Sequence, residues 1–237
     1  MTEQRPVMYQ QWQQLLFYHW SIEAVQVQKT LPPGLEVETY DDMAWIGVVP
    51  FVMKNVRPRG FPAVPWLSHF LELNVRTYVK TSAGLSGVWF YSLDCNQPIA
   101  VEIARRGFHL NYRHSQMQLE KGAKTLKYIS RLRGEKQASS IEGQTSDSQA
   151  AAVPGSLEEF LVERYVLFSA DKRGRLYSGR VSHAPYQIAL VTSSCQVEDT
   201  PAKEFFPELE GSPTHCCFSP GVQVEILGLE GLDQPLD

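Results

Sequence analysis

Hydrophobic and polar residues alternate along several short stretches of the chain, which is the pattern of β-strands with two different faces. The clearest stretch is ELNVRTYVK, residues 72–80, and its first face carries Glu72, Asn74, Arg76 and Tyr78. Its second face carries three aliphatic residues and one threonine. We therefore predict a strand here, with a polar face that points either to solvent or into an enclosed space.

The same patterning predicts a mainly β (α+β) fold with a few short helices. Strands are expected at Val37–Tyr40, Ala44–Phe51, Val88–Asp94, Phe108–Met117 and Ala123–Arg131, and within Arg175–Glu198. Trp12–Trp20 fits either a strand or a short helix. Helices are expected after an N-cap at Ser21, over Pro98–Arg106 and after a capping box at Ser156–Glu159. Short strands with few helices favour a curved antiparallel sheet or a closed barrel.

Two stretches are typical of loops. Arg57–Trp66 contains three prolines and a glycine, and residues 134–155 lose apolar periodicity. We predict a flexible surface loop at 134–155 that holds at most one edge strand. The remainder is predicted to form a single domain over residues 1–237, because all-β barrels of this length commonly stand as one domain.

Composition narrows the class of protein. The 237 residues carry 22 basic and 26 acidic side chains, a net charge of −4, so no global field attracts nucleic acid. The longest uncharged apolar run, Met43–Met53, is shorter than the ~17–25 residues of a membrane span, and the N-terminus lacks the features of a signal peptide. The cysteines, at positions 95, 195, 216 and 217, show no disulfide or metal spacing. We therefore expect reduced thiols in a cytoplasmic protein without nucleic-acid or membrane partners. The sequence is compatible with either a monomer or a homo-oligomer.

The polar face of residues 72–80 is the first candidate site. If it points into a barrel, Arg76 can bind a carboxylate through two hydrogen bonds while Glu72 accepts or relays a proton. Asn74 and Tyr78 share that face and are further candidate ligand-binding residues. If the face points to solvent, Glu72 and Arg76 form an exposed ion pair worth under ~1 kcal/mol.

The second candidate site is FHLNYRH, residues 108–114. On a strand, His109, Asn111 and Arg113 share one face, while Tyr112 and His114 share the other. Two histidines and a tyrosine offer proton-transfer groups, although paired histidines on strands more often serve as structural hydrogen-bonding residues. Common catalytic motifs such as GxSxG and HExxH are not found in the chain.

Several sequence blocks together resemble the YqjF-like family, a group of bacterial proteins that carry a domain of unknown function. In chain order the blocks are LLFYHW, LPPGLEVETYDDMAWIGVVPFVM, ELNVRTYV, GVWFYSLDC, Ala104–Tyr112, SLEEFLVERY and VSHAPY, and the resemblance covers about residues 7–195. That family is grouped structurally with acetoacetate decarboxylase. The resemblance therefore implies an acetoacetate decarboxylase-like antiparallel β-barrel with an enclosed, polar-lined cavity.

The resemblance also implies that one reaction is absent. Acetoacetate decarboxylase forms a Schiff base through a lysine in a motif resembling GFPKK, because an iminium accepts the electrons released with carbon dioxide. The matching stretch here is GFHLNY, with Asn111 and Tyr112 in place of the two lysines. Neither side chain can form a Schiff base. The resemblance thus implies the barrel without the decarboxylase mechanism, in which Glu72 and Arg76 correspond to the cavity-lining carboxylate and cation.

Two functional hypotheses follow. In the first, a cytosolic barrel binds a small organic anion through Arg76 and Asn111, and Glu72, Tyr112 and a histidine supply acid–base chemistry. In the second, the barrel senses a metabolite or binds another protein without catalysis.

The first hypothesis makes a geometric prediction. We expect Arg76 to be largely buried, to lie within ion-pair reach of Glu72 or another carboxylate, and to line the main cavity, because an unpaired buried charge is costly. No cofactor is predicted. No metal site is predicted either, since His215 beside Cys216–Cys217 lacks further ligands at a suitable spacing.

Overall fold

Strands account for about half of the residues in the computed structural model, which describes residues 5–193 and 195–232. The prediction of a mainly β fold with a few short helices is confirmed. The strands are β1 Met8–Glu23, β2 Glu36–Val37, β3 Met43–Pro58, β4 Phe70–Lys80, β5 Ser86–Cys95, β6 Tyr112–Lys121, β7 Thr125–Leu132, β8 Ser139–Gln144, β9 Ala150–Ala151, β10 Val166–Ala170, β11 Leu176–Ser182, β12 Gln187–Leu190 and β13 His215–Gly231. The helices are α1 Ala24–Gln28, α2 Pro98–Phe108, α3 Leu157–Val162 and α4 Ala202–Phe205, and Val197–Asp199 forms a 3₁₀ turn.

The strands pair in a closed ring. Its order is β4-β3-β1-β13-β11-β10-β5, and β5 pairs again with β4. Long strands must bend to close such a ring, and β1 and β13 do so at an irregular point where Gly221 has a φ of +135°. A Cβ atom on Gly221 would collide with the Trp12 carbonyl oxygen. The pairing of β5 with β10 within the ring is parallel, and so is the pairing of β5 with β6 outside it. The ring is therefore not antiparallel throughout, although an antiparallel barrel was expected.

Two apolar cores lie on opposite faces of the strands. We call the first the inner core, because it joins side chains from five of the ring strands, and its members include Phe17, Trp45, Val49, Tyr78, Leu93, Leu161 and Cys217. The second is covered by β6–β8 and by residues 195–209. Strand β4 separates the two, with Leu73 and Val75 in the second core and Tyr78 in the inner core. The polar face of β4 therefore points into the protein.

Several predicted elements have different bounds. Helix α1 begins at Ala24, and Ser21 does not cap it, because β1 continues to pair with β3 through Glu23. The strand expected at Val37–Tyr40 shrinks to β2, which pairs with β4 rather than β3. Asp41 and Asp42, both at positive φ, form the turn that precedes β3. The longest strand, β13, was not predicted, because its glycines and proline interrupt the alternation.

The stretch 134–155 contains more structure than expected. Strand β8 pairs with β7 at an edge of the sheet, and the short strand β9 pairs with β12. The flexibility of this stretch and the single-domain organisation remain predictions. Only the N-cap half of the predicted capping box is present: the Ser156 hydroxyl accepts a hydrogen bond from the Glu159 amide at 3.2 Å, whereas the Glu159 carboxylate accepts from the Gly155 amide and not from the Ser156 amide. No helix within the described residues is long and apolar enough to span a membrane.

Candidate functional site

The register of four neighbouring strands places His215, His19, Gly47 and Arg76 in one row across the sheet. His215 of β13 lies opposite His19 of β1, which lies opposite Gly47 of β3, which lies opposite Arg76 of β4. Directly opposed residues project to the same face of a sheet. A Cβ atom on Gly47 would lie 3.2 Å from Arg76 Cγ and 3.3 Å from His19 Cδ2. The glycine therefore provides the space in which Arg76 and His19 lie beside each other.

Hydrogen bonds connect this row to helix α3. The Tyr78 hydroxyl donates to the Leu161 carbonyl at 2.9 Å, and His19 Nε2 lies 2.9 Å from the same hydroxyl. Because a carbonyl only accepts, the Tyr78 proton points to Leu161, so His19 Nε2 must carry a proton. His19 Nδ1 then accepts from His215 Nδ1 at 3.1 Å. His215 Nε2 in turn lies 3.8 Å from a carboxylate oxygen of the half-buried Glu158.

The hydrogen-bonded part of this row, from His215 through His19 to Tyr78, can relay a proton within the inner core. Burial, followed by the charges of His215 and Arg76, lowers the pKa of His19 well below its usual value. Burial also lowers the pKa of His215, against the opposing effect of Glu158. Both imidazoles are therefore neutral near pH 7, and each has one donor and one acceptor nitrogen.

Arg76 lies at the centre of this arrangement and is half-buried. Its Nη2 donates to the Leu161 carbonyl at 3.0 Å, and the guanidinium lies over the rings of Phe17 and Tyr78 at 5.6 and 5.7 Å. The carbonyl is available because it belongs to the last turn of α3, where carbonyls lack partners within the helix. Nε is buried without a hydrogen-bond partner.

The predicted ion pair between Arg76 and Glu72 is wrong. Within residues 5–193 and 195–232, no carboxylate lies within 4.0 Å of the Arg76 guanidinium. Glu72 instead accepts a hydrogen bond from the Tyr112 hydroxyl at 2.7 Å. The arginine is thus left with a carbonyl and two aromatic rings as its contacts.

The Glu72 and Tyr112 pair forms a second polar group on the same face of β4. Glu72 is 2% exposed, and burial raises its pKa to about 7, although the Tyr112 hydrogen bond opposes the increase. Burial raises the pKa of Tyr112 as well, so Tyr112 remains a donor. Asn74 lies between this pair and Arg76, buried, and its Oδ1 has no partner. Glu72 can therefore gain or lose a proton near neutral pH.

The structure separates the other candidates of residues 108–114. The shared strand face of His109, Asn111 and Arg113 does not exist, because α2 extends to Phe108 and β6 begins only at Tyr112. His109 ends α2 in the left-handed conformation, with φ of 52°. Arg113 forms an ion pair with Asp94, and His114 lies opposite Cys95 in the sheet. Of this set, only Tyr112 touches Glu72.

Two cavities open elsewhere on the molecule. The larger, of about 470 Å³, is lined by Arg105, Arg106, His109, Asp171, Lys172, Arg173 and Arg175. The smaller, of about 180 Å³, is lined by Trp89, Phe90, His109, Leu110, Asn111, Phe168, Ser169 and Ala170. Arg76 and Glu72 line neither cavity, so their ligand-binding roles remain predictions.

Sequence reasoning missed the residues that give Arg76 its surroundings. His19 lies in an aromatic stretch of uncertain type, Gly47 lies inside an apolar run, and Leu161 contributes only its carbonyl. In the sequence, His215 was considered only as a possible metal ligand beside Cys216 and Cys217. The four cysteines are free, and no cluster of three or more metal-ligating side chains occurs in the described part of the chain. Only the pairing register, which the sequence does not display, joins these positions.

Comparisons with known proteins identify one family of uncharacterized proteins. The model of the DUF2071 family, described as an uncharacterized conserved protein, matches residues 9–223. The chain is 36% identical over 183 residues to the uncharacterized protein YqjF of Bacillus subtilis (strain 168). The matched residues make up 77% of this chain and 75% of that protein.

Solved structures of low sequence identity share the fold. One is acetoacetate decarboxylase from Legionella pneumophila, with a TM-score of 0.69 and 11% identity, over 98% of this chain and 89% of that one. Another is the enduracididine biosynthesis enzyme MppR complexed with pyruvate, with a TM-score of 0.67 and 12% identity, over 98% of this chain and 92% of that one. The acetoacetate decarboxylase-like fold expected from the sequence is confirmed.

Proposed function

We propose a function for this chain, which belongs to the DUF2071 family: it binds a small organic anion on the inner face of its sheet, with Arg76 as the anchor. The observation that carries the proposal is the half-buried guanidinium without a carboxylate partner. Four free cysteines support the cytosolic location that we assign to the protein.

The energetic argument concerns the charge of Arg76. A guanidinium cannot lose its proton in a protein, and a buried charge without a partner costs several kcal/mol. The Leu161 carbonyl and two rings offset only part of this cost, and Nε keeps an unused donor. A carboxylate would supply the missing charge and match the planar fork of the guanidinium. Phe17 and the buried Tyr186, whose ring centroids lie 5.4 Å apart, provide aromatic surface on the arginine's side of the sheet.

The neighbouring groups suit acid–base chemistry on such an anion. The hydrogen-bonded imidazoles of His215 and His19 can pass a proton to the Tyr78 hydroxyl, which would give its own proton to the bound anion. Schiff-base chemistry is not part of the proposal. All nine lysines of the chain are exposed or half-buried, and Asn111 and Tyr112 occupy the positions of the decarboxylase lysines.

A non-catalytic, metabolite-sensing or protein-interaction role is the second candidate. It is favoured by the burial of His19 and Tyr78, which are both 0% exposed and packed in the inner core. A ligand that reaches Arg76 would have to displace these groups, and such a displacement is a means of signalling occupancy. Turnover of the bound anion would distinguish the enzyme from the sensor.

The test is calorimetric titration with pyruvate, a small carboxylate also bound by the structural neighbour MppR. We expect Arg76→Met to weaken binding at least tenfold, since a bidentate charged contact is lost. Arg57→Met is the matched control: Arg57 is also half-buried on a strand, donates to the Asn55 carbonyl at 3.2 Å and lies over the Tyr9 ring. Equal affinity of wild type and Arg76→Met, or equal losses in both variants, would contradict the proposal. Borohydride treatment with pyruvate should leave the protein mass unchanged.

A further inference from the structure

The larger surface cavity is lined almost entirely by basic side chains, and we call it the basic cleft. Arg105, Arg106 and His109 come from the end of α2, and Asp171, Lys172, Arg173 and Arg175 come from the β10–β11 turn. We propose that the basic cleft and the smaller cavity beside it form a second site, which binds a phosphorylated small molecule with a planar ring. This site is separate from Arg76 and does not depend on the function proposed above.

The charges of the basic cleft are largely uncompensated. Asp171 contributes the one acidic side chain of its lining, and its carboxylate accepts from the amides of Arg173 and Arg175 at 2.8 and 3.0 Å and from the Tyr177 hydroxyl at 3.2 Å. These bonds hold the turn in shape. Within the described residues, the side chains of Lys172, Arg173 and Arg175 form no ion pair within 4.0 Å. A protein of net charge −4 thus concentrates five cations at one place.

Helix geometry explains only two of these five cations. Cations are favourable at a helix C-terminus, which accounts for Arg105 and Arg106, and both pair with Glu102. No such rule calls for three more cations on the facing turn, where like charges repel. The two segments are held together by the ring contact of His109 with Tyr177, whose centroids are 4.8 Å apart. Phosphate oxygens between the segments would relieve the repulsion and match the arginine forks.

The smaller cavity arises from a gap in strand pairing. On one edge of β5, β10 pairs at Val88 and Trp89 and β6 pairs from Leu93 onward, so no strand of the described chain pairs with residues 90–92 there. The gap opens a pocket of about 180 Å³ beside the basic cleft, and His109 lines both.

The lining of this pocket indicates the second half of the ligand. The half-buried Trp89 and Phe90 provide aromatic surface on which a flat ring can stack, while the third aromatic residue of the lining, Phe168, is 1% exposed and packs in a core. Ser169 is 2% exposed, and its hydroxyl has no hydrogen-bond partner, although buried hydroxyls almost always find one. A ring with a polar edge satisfies both features. The ligand class is therefore a phosphate joined to a planar, hydrogen-bonding ring, as in a nucleotide.

The experiment is calorimetric titration with ADP, inorganic pyrophosphate and adenosine as probes. We expect saturable binding of one ADP, weaker binding of pyrophosphate, which lacks the ring, and the weakest binding for adenosine, which lacks phosphate. The double variant Lys172→Gln/Arg173→Gln should weaken ADP binding at least tenfold. Its matched control, Lys121→Gln/Lys124→Gln, makes the same charge change at the exposed β6–β7 turn and should alter ADP binding less than twofold.

Four results would overturn this second site. They are no saturable ADP binding, equal losses in the two double variants, pyrophosphate affinity equal to that of ADP, and tighter binding of a single-stranded RNA oligonucleotide than of ADP. The variant Arg76→Met should leave ADP affinity unchanged, because Arg76 lines neither cavity. Loss of pyruvate binding and loss of ADP binding therefore report on different sites.

Discussion

Glu72 and Arg76 share one face of β4, yet their surroundings solve the problem of a buried charge in opposite ways. Glu72 is held by the Tyr112 hydroxyl, and burial raises its pKa to about 7, so protonation can remove its charge. Arg76 cannot lose its charge, and it receives a helix-end carbonyl and two aromatic rings. Only the arginine end of the face therefore needs an anion from outside.

Strand geometry explains why the two do not pair. Residues four apart on a strand are ~13 Å apart along the backbone, whereas the same spacing on a helix brings side chains into contact. Asn74 lies between Glu72 and Arg76 on this face. Each end of the face therefore takes its partner from a different element, β6 for Glu72 and α3 for Arg76.

The largest effect is expected from Glu72→Gln, measured as the free energy of unfolding against pH. A carboxyl with a raised folded-state pKa stabilises the fold fully below its unfolded pKa of about 4.5, and this contribution is lost as the pH rises to about 7. The stability of wild type relative to the variant should therefore fall by about 3 kcal/mol between pH 4.5 and 8.

Glu120→Gln serves as the control, because Glu120 is exposed on β6. Its stability relative to wild type should follow pH only weakly. A stability difference between wild type and Glu72→Gln that does not change with pH would show that the pKa of Glu72 is the same in the folded and unfolded states, and the contrast between the two ends would disappear.

A smaller effect is expected from Gly47→Ala at the arginine end. The new methyl group would press on Arg76, His19 and Tyr78 at 3.2–3.3 Å, and overpacking of a filled core costs about 2 kcal/mol. Pyruvate affinity should fall together with stability. Gly107→Ala is the control, since its Cβ meets no atom within 4 Å and alanine suits a helix. Unchanged stability of Gly47→Ala would mean that the glycine does not set the position of the arginine.

The smallest effects are expected from removing one hydroxyl at each end. Tyr78→Phe and Tyr112→Phe should each cost about 1 kcal/mol through one lost hydrogen bond. The pH dependence of stability should differ between the two variants. The Tyr112 hydrogen bond stabilises the Glu72 carboxylate, so its loss in Tyr112→Phe raises the pKa of Glu72 further. Tyr78→Phe should leave the Glu72 titration in place. NMR titration of the Glu72 carboxyl measures its pKa in each variant. Identical pKa changes in Tyr78→Phe and Tyr112→Phe would show that the two ends of the face are not independent.

The sequence was sufficient for part of the local structure and for identifying β4 as a strand with a polar face. Alternation identified the polar face, and the buried Glu72 and Asn74 confirm that it points inward. The Ser156 cap and the proline-led helix α2 also follow from local chemistry. The surroundings of Arg76 did not follow, because they join distant segments: Leu161 lies 85 residues from Arg76, and His215 lies 196 residues from His19. Bulges also shift the register of β1 against β3 without any sign in the pattern of side chains.

The central claim is that Arg76 binds the carboxylate of a small organic anion, and a crystal structure of the protein with pyruvate tests it most directly. We predict both carboxylate oxygens at about 2.7–2.9 Å from guanidinium nitrogens of Arg76, which is the length of a charge-assisted hydrogen bond. Pyruvate should be absent from this position in crystals of Arg76→Met. Pyruvate bound only in the basic cleft, or bound at the inner face without contact to Arg76, would contradict the claim.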